Sequence, residues 1–99
     1  MDFEWDENKN VANIAKHGID FRDALHVFHD PGVIFRDDDR RDYGERRQLA
    51  LGQCAPGLLL VVFTERRENV MRIISARRAK QKERQLYAPH GQREVGYGN

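Results

Sequence analysis

The chain has 99 residues and a mass of 11.6 kDa, the size of one small domain that buries only about two-thirds of its unfolded surface. With 39% hydrophobic and 33% charged residues and a mean hydropathy of −0.80, the composition is that of a charge-rich globular protein. The longest apolar run, Leu58 to Phe63, is too short to cross a bilayer, and no charged segment leads into an apolar one at the N-terminus, so neither membrane insertion nor secretion is expected. A single cysteine, Cys54, excludes an internal disulfide and a cysteine-built metal site, which fits a reducing cytoplasm.

The net charge of +1 hides an asymmetry. Residues 1–50 hold 8 basic against 12 acidic side chains, residues 51–99 hold 9 against 4, and 13 of the 17 basic residues are arginine. Arginine's planar fork suits phosphate and carboxylate, so the second half reads as a surface for a polyanion. Mutual neutralisation of the two halves across the fold accounts for the same numbers.

In chain order, Phe3-Glu4-Trp5 alternates as a short strand does. Asp6 caps a helix over about Glu7–Lys16, with Val11, Ile14, Ala15 and Gly18 at helical spacing and Gly18 as its stop. Asp20 caps a second helix whose apolar stripe is Phe21, Ala24, Leu25 and Phe28, closed by Pro31-Gly32. Val33-Ile34-Phe35 is a strand that enters a polar loop, Arg36 to Gly44. Arg47, Leu49 and Leu51 alternate with Gln48, Ala50 and Gly52 as a half-buried strand. Ala55-Pro56-Gly57 turns the chain, Leu58 to Phe63 suits a strand covered on both faces, and Val70 to Ala76 is the last strand. Ala79 to Tyr87 is helical in composition and ends at Pro89 and Gly91.

The expected fold is therefore α+β and two-layered, a mainly antiparallel sheet with an N-terminal αα hairpin and a C-terminal helix, in the order β-αα-ββββ-α. Residues 1–88 form the single domain, and residues 89–99 a flexible tail. The helices cover one sheet face and leave the other open beside the arginines.

The main chemical signal is the cluster Arg66, Arg67, Arg72, Arg77, Arg78, Lys80, Lys82 and Arg84. Guanidinium groups position phosphates and stack on unpaired bases, so RNA is one reading and a solvated strand end the other. Arg72 lies mid-strand between Met71 and Ile73 and must point off the core, toward water or a partner. Glu45 and Arg47 share a strand face by alternation, either as base and phosphate clamp or as an ion pair. Lys16 and His17 suit the negative end of a helix dipole, and His17 also titrates near neutrality. His26 and His29 lack a third metal ligand of clear spacing, and Asp37-Asp38-Asp39 is neutralised by Arg40 and Arg41, so no metal site and no cofactor is expected.

These residues line up with a known family. Phe3-Glu4-Trp5-Asp6, Lys9, Asn13, Lys16-His17-Gly18, Phe21, Ala24, Phe28 and Asp30-Pro31 carry the first half of the match. Tyr43-Gly44-Glu45 with Arg47, Leu60 to Thr64 with Arg66, Arg72 to Ala79, Glu83 and Tyr87 carry the rest. Over residues 3–87 the chain resembles the BrnT toxins of type II toxin–antitoxin systems. The resemblance implies a RelE-like fold and a ribonuclease that arrests growth. It also implies an antitoxin of the BrnA type, with a ribbon-helix-helix part that contacts promoter DNA on behalf of the pair.

For such a ribonuclease the resemblance implies catalysis by Arg, Lys, Tyr and Glu, with the RNA 2′-hydroxyl as nucleophile and no metal. On this chain Arg77 and Arg47 are the candidate phosphate clamps, Arg66, Arg72, Arg78 and Lys80 supporting RNA contacts, and Glu45 the candidate base. Lys16, His17 and Tyr87 are the candidate acids. The ribosome is a possible setting for the cut, and a non-catalytic RNA- or ribosome-binding module is the alternative reading of the same arginines.

Overall fold

The computed structural model describes residues 1–40, 42 and 44–96, the last eight by backbone alone; Arg41 and Tyr43, both drawn on above, lie outside the described residues. In chain order the elements are β1 (Asp2–Glu4), α1 (Glu7–His17), α2 (Phe21–Ala24) running into a 3₁₀ turn (Leu25–His29), β2 (Ile34–Asp38), β3 (Arg47–Cys54), β4 (Gly57–Arg67), β5 (Val70–Arg78) and α3 (Gln81–Gly96). The architecture is α+β: one five-stranded sheet in the order β1-β5-β4-β3-β2 with three helices. Pairing is antiparallel from β2 through β5, and β1 joins β5 in parallel. No helix among the described residues is long and apolar enough to cross a membrane.

The helix caps follow the sequence. The Asp6 carboxylate accepts from the N–H groups of Asn8 (2.8 Å) and Lys9 (3.4 Å), and Asp20 accepts from Arg22 N–H (2.9 Å). Gly18 closes α1 at φ +71°, its N–H on the Ile14 carbonyl at 2.8 Å.

The buried face of α1 is not the expected one. Val11 and Ile14 are 61% and 41% exposed, while Asn10 and Asn13 are buried. The two asparagines face inward because the sheet edge and the next helix present backbone groups that an apolar side chain would leave unpaired. Asn10 accepts from Phe21 N–H (2.9 Å) and donates to Asp20 (3.1 Å). Asn13 donates to the carbonyls of Ile19 (2.9 Å) and Ala76 (2.8 Å) and accepts from Ala76 N–H (3.1 Å).

The second helix differs as well. Only Phe21–Ala24 is α-helical, and the tighter 3₁₀ winding brings Val27 under Ala24, so Val27 is fully buried and Leu25 only partly so. The main core lies between these helices and the sheet: Ile19, Phe21, Ala24, Val27 and Phe28 against Ala50, Leu59, Val61, Phe63, Ile73 and Ala76. Gly52 is required there, since a Cβ would come within 2.9 Å of Val27 Cγ1 and 3.0 Å of its carbonyl oxygen. β4 is covered on both faces from Leu58 to Thr64, as its apolar run foretold.

Further expectations are corrected. β2 continues through Arg36 to Asp38 rather than opening into a loop at Arg36, because Arg36, Asp37 and Asp38 pair with Leu49, Gln48 and Arg47. The helices do not all share one face. Leu51, Leu58 and Leu60 point away from the main core by alternation, and they pack with Ala79 and Tyr87, which places the start of α3 over that end of the second face. α3 also begins at Gln81 rather than Ala79, and its backbone stays helical across Pro89 and Gly91 to Gly96. Its first turn is tied by the Glu83 carboxylate, which accepts from Lys80 N–H at 2.7 Å as the returning half of a capping box.

Candidate active site on the open sheet face

The part of the second face that α3 leaves open carries the charged residues. Strand register puts five side chains in one row across the sheet: Asp38 opposite Arg47, Arg47 beside Thr64, Thr64 opposite Arg72, and Arg72 opposite Glu4. Arg47 and Arg72 are two strands apart, about 10 Å at the backbone. Glu45, just before β3, stands between two guanidinium groups, Arg47 at 3.3 Å and Arg66 at 3.5 Å. Thr64 pins the start of β3 by donating its hydroxyl to the Arg46 carbonyl at 2.6 Å. Glu45, Arg47, Arg66 and Arg72 are thus brought together.

Glu4 belongs to the same group and was not foreseen. It accepts from Arg72 (3.0 Å) and Arg67 (2.9 Å), and these two bonds, Arg72's first, hold its carboxyl below the usual range. The partner required by the mid-strand Arg72 is therefore within the chain. The alternation of Phe3-Glu4-Trp5, which turns Glu4 away from the core, was the signal; the parallel pairing of β1 with β5 was not visible. Asp38 is likewise buried in the row and bidentate with Arg40 at 2.7 and 2.8 Å.

The remaining candidates stand elsewhere. Arg77 pairs opposite Leu60, four residues along β4 from Thr64, so its backbone is roughly 16 Å from that of Arg47. Its guanidinium is bidentate to Glu83, both bonds 2.8 Å, and this is the main reason the Glu83 carboxyl sits below its ordinary range. Arg78 donates to the Pro56 carbonyl at the β3–β4 turn. Lys80 contributes its backbone N–H to Glu83. Tyr87 donates its hydroxyl to Asp30 at 2.7 Å, at the edge where Asp30 also takes Gln53 N–H.

Lys16 and His17 end α1 beside β5. Burial, then the positive charges of Lys16 and Arg77, pull the His17 pKa below its usual value, so the imidazole is mainly neutral at pH 7. In the 3₁₀ turn the exposed His26 and His29 approach to 3.4 Å between Nδ1 atoms, and no third ligand joins them among the described residues.

This fold is shared with a ribonuclease toxin. The crystal structure of the Brucella abortus ribonuclease toxin BrnT matches with a TM-score of 0.64 and 32% identity, covering 82% of this chain and 99% of that one. Residues 5–83 also match the family model described as the ribonuclease toxin BrnT of a type II toxin–antitoxin system. The chain belongs to the BrnT family. Comparison with curated protein sequences gave no match.

Proposed function

We propose that the chain is a RelE-like endoribonuclease that cuts RNA without metal on the open sheet face. The observation that carries this reading is Glu45 held between Arg47 and Arg66, with Arg47 in the same row as Thr64 and Arg72. RNA supplies its own nucleophile, so the protein must orient it, accept one proton and stabilise charge at phosphorus. Glu45 takes the 2′-hydroxyl proton as the 2′-oxygen bonds to phosphorus. Arg47 and Arg72 hold the non-bridging oxygens, with Arg66 keeping Glu45 in place.

The P–O5′ bond then breaks, leaving a 2′,3′-cyclic phosphate and a 5′-hydroxyl. None of Lys16, His17 and Tyr87 stands in this row, so the leaving oxygen takes its proton from solvent. Arg77, tied to Glu83, is a supporting charge that also fixes α3 on β5. Arg78 and Lys80 add positive potential at the same end of the molecule.

The partner is an antitoxin of the BrnA type that covers the open face and brings the pair to promoter DNA through its ribbon-helix-helix part. The direct test is cleavage of end-labelled RNA in EDTA by the wild type, Glu45→Gln and Arg47→Ala. The wild type should cut, and each variant should be slower by about a hundredfold, the usual loss for one well-aimed catalytic group. Wild-type rates in both variants would move the site elsewhere.

A further inference from the structure

β1 is short, and the consequence lies along β5. β1 covers only Val70 to Arg72, so β5 from Ile73 onward is a sheet edge over which α1 passes. A register shift between Val62 and Phe63 leaves Ile74 without a partner on β4 and bends the strand there. Asn13 stands in for a neighbouring strand at Ala76. Between the bulge and α1 opens a cleft of about 240 Å³, lined by Lys9, Ala12, Asn13, Lys16, His17, Ile74 and Ser75.

The charges of this cleft are unlike those of the adjoining face. Arg47, Arg66, Arg67, Arg72 and Arg77 each have a carboxylate partner. Lys9 and Lys16 have none among the described residues, no acid lines the cleft, and the Ser75 hydroxyl makes no hydrogen bond among them. The helix dipole accounts for Lys16 in the last turn but not for Lys9, two turns earlier. The two lysines share one side of α1 about 10 Å apart, a spacing that lets each meet one of two successive phosphates. Ala12, Ile74 and Ser75 line the same cleft with them.

We infer that this cleft is a subsite for single-stranded RNA, holding one nucleotide over Ala12 and Ile74 with its flanking phosphates on Lys9 and Lys16. The inference rests on the ribonuclease reading and deepens it: RNA in the catalytic row continues past Arg77 into the cleft. An anion there also favours the protonated form of His17, which burial and then the positive charges of Lys16 and Arg77 oppose.

The test is binding of a fluorescent 2′-O-methyl RNA oligomer, which lacks the nucleophile, measured by anisotropy across a salt series. Lys9→Ala and Lys16→Ala, both at exposed helix positions that tolerate alanine, should each lower the slope of log affinity against log salt by about 0.7 and weaken binding about fivefold at 0.1 M salt. Arg22→Ala, whose guanidinium pairs with Asp20 and Glu7 and does not line the cleft, should leave the slope unchanged. Wild-type slopes in both lysine variants, or no binding by the wild type, would overturn the subsite. Cleavage of unmodified RNA run in parallel separates the two readings. Cleavage with unchanged slopes removes the cleft and keeps the enzyme, and reduced slopes without cleavage do the reverse.

Discussion

Arg77 and Glu83 face each other through two parallel hydrogen bonds of 2.8 Å, one residue at the end of β5 and the other in the first turn of α3. Both side chains are about three-quarters buried, at 23% and 24% exposure. The same carboxylate also accepts from Lys80 N–H, so a single acid joins the last strand to the last helix. Arg77→Ala leaves Glu83 without its main partner and should lower stability by about 1–3 kcal/mol. The denaturant midpoint reads this, and an unchanged midpoint would show that α3 is held by its apolar contacts alone.

The pH dependence follows from the same pair and from Glu4. Both carboxyls sit below their ordinary value of 4.5, Glu83 chiefly through Arg77 and Glu4 chiefly through Arg72. On acidification the unfolded chain takes up these protons first. The contribution to stability is complete above about pH 4.5 and is lost as pH falls through the lower folded values. Midpoints taken from about pH 6 to about pH 3 should fall, and Glu83→Gln should flatten part of that decline.

Asn13 is a stronger structural test. It satisfies both polar groups of Ala76 and the carbonyl of Ile19 from a buried position. Asn13→Leu strands those groups and should cost about 2–4 kcal/mol, seen as a lower midpoint with an unchanged slope. A near-neutral result would mean that water replaces the amide.

Gly52 has no room for a side chain: an added methyl would meet Val27 at 2.9 Å and Asp30 Oδ2 at 3.2 Å. Asp30 in turn holds Gln53 N–H and the Tyr87 hydroxyl at 2.7 Å each. Gly52→Ala should destabilise by about 1–3 kcal/mol through overpacking. Thermal unfolding checks it, and a wild-type transition would show that the 3₁₀ turn moves aside freely.

Local chemistry was the legible part of the sequence. Asp6, Asp20 and Gly18 cap their helices as read, and the apolar run in β4 is the central strand. Apolar periodicity misled where polar groups had structural work. The face of α1 with Val11 and Ile14 is exposed, because Asn10 and Asn13 meet backbone groups 11 and 63 residues away in sequence. The site was half legible for a similar reason. Glu45 and Arg47 are neighbours by alternation, but Arg72 meets Glu4 only through a parallel pairing across 68 residues that no local pattern encodes. Strand register separates Arg77 from Arg47, and register is set by the whole sheet.

If the antitoxin occludes the open face, a stoichiometric complex should not cut RNA. Cleavage undiminished in a saturated complex would place the antitoxin's contact elsewhere.

The chemistry at the open face is tested most directly by the ends of the products. RNA cut in EDTA by the wild type should carry a 2′,3′-cyclic phosphate on the upstream fragment and a 5′-hydroxyl on the downstream one. The same RNA with a single 2′-deoxy sugar at the cut nucleotide should remain whole at that position. A 3′-hydroxyl end, or cleavage at the deoxy position at the unmodified rate, would contradict attack by the 2′-hydroxyl and the role given to Glu45.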